Sequence, residues 1–221
     1  MLEDLSLLLE ELPPMGAKSV VAVIGRFQPP TLGHYALIDA AKRFIRKNKA
    51  LNLEAAPYVI IIGGNKQDAN KGKNPLSLED REKFMRASGK ANGVNFITAP
   101  NAYAGLAKLR EAGLEPIAVA SGSDRSSSYL DLLDKQFLNQ AGKKIKHYTV
   151  NLDRQEDDGS IDRLKGEKGV ELSAVSGSLA RRAAELGYEP EFTKLVGLDE
   201  KPELAKKLFN KVKSSMVKSN D

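Results

Sequence analysis

Two short runs of consecutive apolar residues stand out along the chain. SVVAVIG at 19–25 and YVIIIGG at 58–64 are continuous and rich in Val and Ile, as expected for strands that are covered on both faces. Less regular apolar runs predict three more strands, at 93–99, 115–121 and 144–150.

Between these runs, apolar positions recur at helical spacing. The pattern predicts helices at 34–48, 77–91, 102–113 and 128–142, and then, after the last strand, at 176–187 and 201–219. Strict alternation of strand and helix predicts an α/β fold: a doubly wound, Rossmann-like parallel sheet of about five strands with helices on both faces. Ligands of such a sheet bind at the carboxyl ends of the strands, where the strand order reverses.

Two segments fall outside this alternation. Leucines at helical spacing in residues 2–12 predict an amphipathic helix, which either packs back on the core or docks to a protein partner. Residues 151–173 are polar, charged and glycine-bearing, which is typical of a lid or binding loop. We therefore divide the chain into an N-terminal helix with a Pro/Gly joint (1–16), a domain (17–198) and a basic C-terminal helix (199–221).

The composition excludes several classes of function. The 34 Lys and Arg outnumber the 29 Asp and Glu by only five, and aromatic residues make up 6% with no Trp, so nucleic acid is not an expected partner. The absence of Cys excludes disulfides, thiolate metal sites and cysteine nucleophiles. No apolar run reaches the roughly 18 residues of a membrane span, and the acidic N-terminus does not resemble a signal peptide. We expect a cytoplasmic protein without a membrane partner, and the sequence leaves a homo-oligomer open.

The most informative segment is GRFQPPTLGH at 25–34, where the first strand passes into the first helix. Gly25 allows a tight turn off the strand, and two prolines stiffen the loop so that backbone amides can face a ligand. The following helix points its unpaired N–H groups and its positive dipole end at the same place, with Thr31 at the capping position. Gly33 removes a side chain beside the ligand, and His34 in the first turn can reach the same anion. The segment therefore predicts a phosphate-binding loop.

This segment resembles the T/H-x-G-H signature of the nucleotidylyltransferase superfamily. Its lead-in is especially similar to archaeal-type nicotinamide mononucleotide adenylyltransferases and to related proteins of tailed phages. A second signature of the family, S-x-S/T-x-x-R, is matched by SGSLAR at 176–181. The resemblance covers about residues 19–190.

The resemblance implies that a phosphomonoester attacks the α-phosphate of a nucleoside triphosphate, with Mg²⁺ carried by the nucleotide phosphates and pyrophosphate leaving. It implies that His34 and Thr31 hold the α-phosphate and that Arg181 takes the β- and γ-phosphates. The remaining nucleotide-binding residues that it implies are Gly25, Arg26, Phe27, Gly33, Ser176 and Ser178.

Two further loops carry weaker signals. In related enzymes the loop after the fourth strand lies near the nucleotide, so Gly122 and Asp124 are expected either to contact the ribose or base or only to open the next helix. After the second strand, the resemblance places Arg81 near the acceptor or the phosphates. Lys73 is a second candidate there, and the neighbouring lysines are solvated in the simplest interpretation.

The sequence therefore predicts a nucleotidylyltransferase that moves AMP from ATP onto nicotinamide mononucleotide. The base and the acceptor are less well specified than the reaction class. The alternative is a nucleotidylyltransferase-like domain that serves as a structural or interaction component, for example of a phage particle, and docks through its N-terminal helix. If phage-encoded, the protein would lie in the host cytoplasm or the virion.

Overall fold

The computed structural model describes residues 18–63, 73–137, 145–152 and 175–217. The predicted N-terminal helix, most of the polar segment 151–173 and the last four residues lie outside the described residues. The described strands are β1 (Lys18–Gly25), β2 (Tyr58–Ile62), β3 (Asn95–Ala99), β4 (Leu114–Gly122) and β5 (Tyr148–Leu152). The described α-helices are α1 (Leu32–Lys47), α2 (Leu78–Ser88), α3 (Ala102–Glu111), α4 (Ser123–Gln136), α5 (Gly177–Leu186), α6 (Glu189–Val196) and α7 (Pro202–Val217).

The five strands form one parallel sheet in the order β3-β2-β1-β4-β5. The chain builds outward from β1 through β2 to β3, and then crosses back to place β4 on the other side of β1. The strand order therefore reverses between β1 and β4, and this is where an open α/β sheet binds its ligand. The predicted fold class, a doubly wound sheet of about five parallel strands, is confirmed.

Both faces of the sheet are buried, which explains the unbroken apolar runs of its central strands. Along β1, Val20, Ala22 and Ile24 pack with α3 and α4, whereas Val21 and Val23 pack with α1. All five side chains are at most 4% exposed. Because successive residues of a strand point to opposite faces, a strand covered on both sides needs apolar residues at every position.

A third apolar cluster lies beyond the sheet and holds the last three helices together. It joins Leu179 of α5, Phe192 of α6 and Leu208 of α7, and the Phe192 and Phe209 rings meet edge to face at 5.4 Å between centroids. Leu76, in the segment that leads into α2, packs in the same cluster. This packing fixes where α5 begins relative to the sheet. No helix in the described part of the chain has both the length and the apolar character needed to cross a membrane.

His147 lies in the described segment just before β5. Its side chain is 1% exposed and its Nδ1 lies 2.7 Å from Asp134 Oδ1 of α4. Burial lowers the pKa of His147 below its usual value, and the Asp134 carboxylate only partly opposes this effect. In the folded protein the imidazole therefore stays neutral to lower pH than in the unfolded chain.

This shift predicts a loss of stability in mild acid. Below about pH 6.5 the unfolded imidazole takes up a proton before the folded one, so the free energy of unfolding falls until the lower folded pKa is reached. We expect His147→Gln to remove this contribution, which amounts to at most about 1.4 kcal/mol per pH unit. Urea unfolding of both proteins between pH 7.5 and 5 measures it. Equal slopes for the two proteins would contradict the prediction.

Candidate active site

A cleft lies at the carboxyl ends of β1 and β4, where the strand order reverses, and it holds about 220 Å³ of free space. Three segments that are distant in sequence form its walls. They are residues 24–28, 34 and 37 from the end of β1 into α1, residues 121, 122, 125 and 129 around the start of α4, and residues 176–178 and 181 at the start of α5; Ile62 at the end of β2 also lines the cleft. The two signature segments, 25–34 and 176–181, thus meet in one place.

Most of the predicted site residues line this cleft. The predicted residues that line it are Gly25, Arg26, Phe27, His34, Gly122, Ser176, Ser178 and Arg181. Three arginines, Arg26, Arg125 and Arg181, are among the residues that line it. No carboxylate is among the lining side chains that the structure describes, and in the described ranges no cluster of His, Asp and Glu could hold a metal ion. The cleft therefore suits a multiply charged anion.

The turn after β1 closes tightly around Phe27. This residue has a positive φ of 52° and a side chain only 1% exposed. Its ring lies directly under Gly25, where an added Cβ would come within 3.1 Å of it. A larger residue at position 25 would therefore press on the Phe27 ring, which makes glycine a close fit to this turn.

His34 is held in a defined orientation by the start of its own helix. The backbone N–H of Thr31 donates to His34 Nδ1 at 3.1 Å, and the Thr31 hydroxyl lies 2.8 Å from the same nitrogen. Because Nδ1 accepts the backbone proton, the neutral imidazole carries its own proton on Nε2. The Phe27 ring packs against the imidazole with 4.8 Å between ring centroids. These contacts fix the ring that lines the cleft and make Nε2 its donor.

Thr31 and Gly33 are placed differently from the expectation that they face the ligand. Both are buried, and neither is among the lining residues. Thr31 is 0% exposed, and its polar atoms are directed to His34. The structure thus gives Thr31 a supporting position, and its direct contact with a phosphate stays a prediction.

Arg181 joins the second signature to the first. Its Nη1 donates to the main-chain oxygen of Gln28 at 2.5 Å and its Nη2 donates to Ser178 Oγ at 3.0 Å. Ser176 caps α5, because its hydroxyl accepts the Leu179 N–H at 3.0 Å. The start of α5 is therefore directed into the cleft with its arginine already ordered.

Arg81 lies beneath the cleft and is not among the residues that line it. It is 2% exposed, and its Nη1 donates to the main-chain oxygens of Arg26 at 2.7 Å and of Ile62 at 2.8 Å. Its Nε donates to the oxygen of Ser77 at 3.0 Å. The side chain thus ties the ends of β1 and β2 to α2, which is a structural position and differs from the expected contact with substrate.

We predict that Arg81→Met destabilises the fold by at least about 3 kcal/mol, because three main-chain carbonyls lose a charged donor in the interior. Arg86→Met on the same helix is the matched control. The Arg86 side chain is 56% exposed and pairs with Glu82, so its loss should cost about 1 kcal/mol or less. Urea unfolding measures both values. Similar losses in the two variants would argue against the supporting role of Arg81.

Two other predicted residues are not brought into the cleft. Lys73 is exposed and is not one of the lining residues. The side chain of Asp124 lies outside what the structure describes, so its predicted contact remains a prediction.

Eight lining residues were not singled out from the sequence: Ile24, Gln28, Leu37, Ile62, Ser121, Arg125, Tyr129 and Gly177. Arg125 and Tyr129 lie one turn apart on α4, and Gln28 and Gly177 lie where the two signatures meet. A Cβ on Gly177 would lie 2.9 Å from Gln28 O, so this close approach requires glycine. A helix predicted from residue 123 would have placed Arg125 and Tyr129 together on one face, but our prediction began at residue 128.

Comparison with known proteins gives matches to solved structures and a match to a sequence family. A solved structure described as a macrolide-efflux protein from Streptococcus pneumoniae is similar at a TM-score of 0.48 and 17% identity. The alignment covers 84% of this chain and 57% of that chain, so this protein spans little more than half of it. A search of the curated proteins found no match.

The family match falls on the first part of the sheet. Residues 22–111, which include the second half of β1, the segment 25–34, β2, β3 and α1 to α3, match the family described as Cytidylyltransferase-like. The match indicates nucleotidyl transfer as the general class of activity. These residues make up less than half of the chain, and over this stretch the chain is similar to the nucleotidylyltransferase superfamily.

Proposed function

We propose that the protein is a nucleotidylyltransferase that moves AMP from ATP onto nicotinamide mononucleotide and releases pyrophosphate. The observation that carries this proposal is the convergence of His34, Arg181 and two helix N-termini on one cleft at the reversal of strand order. Helix N-termini and guanidinium groups are the groups that bind phosphates in proteins.

In the proposed reaction, an oxygen of the acceptor phosphate attacks the α-phosphorus of the triphosphate. A new P–O bond forms as the bond from the α-phosphorus to the bridging oxygen breaks, and pyrophosphate leaves with that electron pair. His34 Nε2–H donates to a non-bridging oxygen of the α-phosphate, where negative charge must be neutralised. Arg181 and the N-terminus of α5 bind the phosphates that leave.

Mg²⁺ fits this site only as an ion carried by the nucleotide. The described lining residues include no carboxylate, so they supply no anionic ligand of their own. When bound to the triphosphate, Mg²⁺ would neutralise part of its charge.

The choice of ATP and nicotinamide mononucleotide rests on the similarity of GRFQPPTLGH to the archaeal-type adenylyltransferases. The matched family is described as cytidylyltransferase-like, so CTP is the main competitor. The same segment carries the resemblance to proteins of tailed phages, which also belongs to this proposal.

The test is a matrix of ATP, CTP, GTP and UTP against nicotinamide mononucleotide, ribose 5-phosphate and glycerol 3-phosphate, read by pyrophosphate release. We expect release with ATP and nicotinamide mononucleotide, and none when the acceptor is omitted. Release with CTP and another acceptor would retain the reaction class and replace the substrates. No release in any well, with no triphosphate binding by calorimetry, would overturn the proposal.

A further inference from the structure

The side chain of Gln28 makes a paired contact with the main chain of one distant residue. Its Nε2 donates to Leu76 O at 2.6 Å, and its Oε1 accepts the Leu76 N–H at 3.0 Å. Gln28 is 4% exposed and Leu76 is 1% exposed. The amide therefore acts as a buried clamp that fixes the loop after β1 to the segment entering α2.

The main-chain oxygen of the same residue accepts Arg181 Nη1 at 2.5 Å. Gly177, in the first turn of α5, approaches this oxygen so closely that a Cβ would lie 2.9 Å from it. One residue thus contacts the α2 segment through its side chain and the α5 arginine through its backbone. Any movement of the Gln28 peptide would displace the acceptor that orients the Arg181 guanidinium.

We propose that Gln28 is a positioning residue for Arg181: its clamp on Leu76 holds its carbonyl where it orients the guanidinium toward the departing phosphates. This inference rests on the proposed function. Catalytic groups work within about 0.5 Å of their productive position, so an error of this size in Arg181 is expected to lower the rate. A misplacement of about 1 Å can cost about 10²-fold.

The residue type matters because a carboxamide offers one donor and one acceptor in the same plane, which match the C=O and N–H of one residue. Methionine is similar in size to glutamine, but it has no N–H donor and its sulfur is only a weak acceptor. An ionised glutamate keeps the acceptor for the Leu76 N–H but loses the donor to Leu76 O. Gln28→Met should therefore remove the clamp, and Gln28→Glu should weaken it.

The test is a double-mutant cycle of Gln28→Met and Arg181→Ala. The readouts are kcat and KM for pyrophosphate release with the best substrate pair, and the affinity for inorganic pyrophosphate by calorimetry. We expect Gln28→Met to lower kcat at least about tenfold in the wild-type background, with a smaller change in KM. In the Arg181→Ala background it should lower kcat less than about threefold, because the group it positions is already gone. Gln28→Glu replaces Gln28→Met in the same cycle if the latter does not fold.

Asn101→Ala is the matched control. Its side chain caps α3 by accepting the Ala104 N–H at 2.9 Å, and α3 contributes no residue to the lining of the cleft. It should lower the melting temperature while leaving kcat within about twofold in both backgrounds.

Three outcomes separate the hypotheses. A double variant that loses kcat by the product of the two single-variant factors would show that Gln28 does not act through Arg181. The inference would then fail while the proposed function stood. A wild-type protein that binds pyrophosphate and shows the same coupling in affinity, but turns over no substrate, would keep the inference and overturn the enzyme. A wild-type protein with neither binding nor turnover would overturn both.

Discussion

Replacing His34 by asparagine is expected to lower kcat for pyrophosphate release by about 10²-fold or more. Asparagine Oδ1 can accept the Thr31 N–H as Nδ1 does, so the start of α1 should survive the change. The variant removes the Nε2–H, which is the donor proposed for the α-phosphate, and loss of one such donor typically costs about 10²–10³ in kcat. Steady-state pyrophosphate release and a thermal melt, measured on the same preparation, give the two quantities.

The chain supplies its own control for this prediction, because it has only two histidines. His147 lies beside Asp134 and does not line the cleft, so His147→Gln should keep kcat within about twofold at pH 7.5. If His34→Asn retains more than a tenth of the wild-type kcat, the imidazole is not the group that neutralises charge in the transition state.

Arg181→Ala is expected to lower kcat/KM by about 10²–10³-fold. The change removes the charge proposed to bind the leaving pyrophosphate, and charged hydrogen bonds are the stronger class in such sites. It also removes the link between α5 and Gln28 O. Arg181→Lys should recover only part of the activity, because an ammonium group cannot reproduce the planar two-pronged contact with Gln28 O and Ser178 Oγ.

The neighbouring Arg182 provides the control for charge and helix position. It is exposed, pairs with Glu185 at 2.7 Å and is not a lining residue of the cleft. Arg182→Ala should therefore change kcat/KM by less than about threefold. Equal losses at the two positions would indicate a general effect of positive charge on α5, and the specific role of Arg181 would be wrong.

The strands were predictable because each is short, apolar and bounded by polar segments. All five predicted runs overlap a strand, but their ends differ: β3 begins at Asn95, two residues later than predicted, and β5 occupies Tyr148–Leu152 instead of 144–150. These two strands lie at the edges of the sheet, where burial is less complete and the apolar pattern weaker.

Helix α6 was not predicted. It has only eight residues, and Pro190 lies in its first turn, where a proline is tolerated because the N–H has no partner in the helix. Helix α4 begins at Ser123, earlier than the predicted 128, because Gly122 already ends the strand. The strand order could not be predicted at all, since it depends on which apolar faces meet in space.

Some residues of the cleft were likewise predictable from the sequence, and others were not. His34, Ser176 and Arg181 were predictable because short motifs at a strand end and a helix start carry them. The clamp of Gln28 on Leu76 and the buried contacts of Arg81 were not, because both depend on main-chain atoms that the fold brings close. The sequence gives the identity of each side chain, but it does not show which main-chain carbonyls the fold places within hydrogen-bond distance of it.

The cleft is formed by segments that are distant in the sequence, and this has a consequence for folding during translation. Residues 22–111, which carry the family match, provide only one of the three walls. A nascent chain that has left the ribosome only up to residue 111 lacks both Gly122 and Arg181, so its segment 24–34 has no counterpart across the cleft. The complete cleft therefore forms only after α5 has been translated, so a ligand of the proposed kind could not serve as a template for the earliest folding of the sheet.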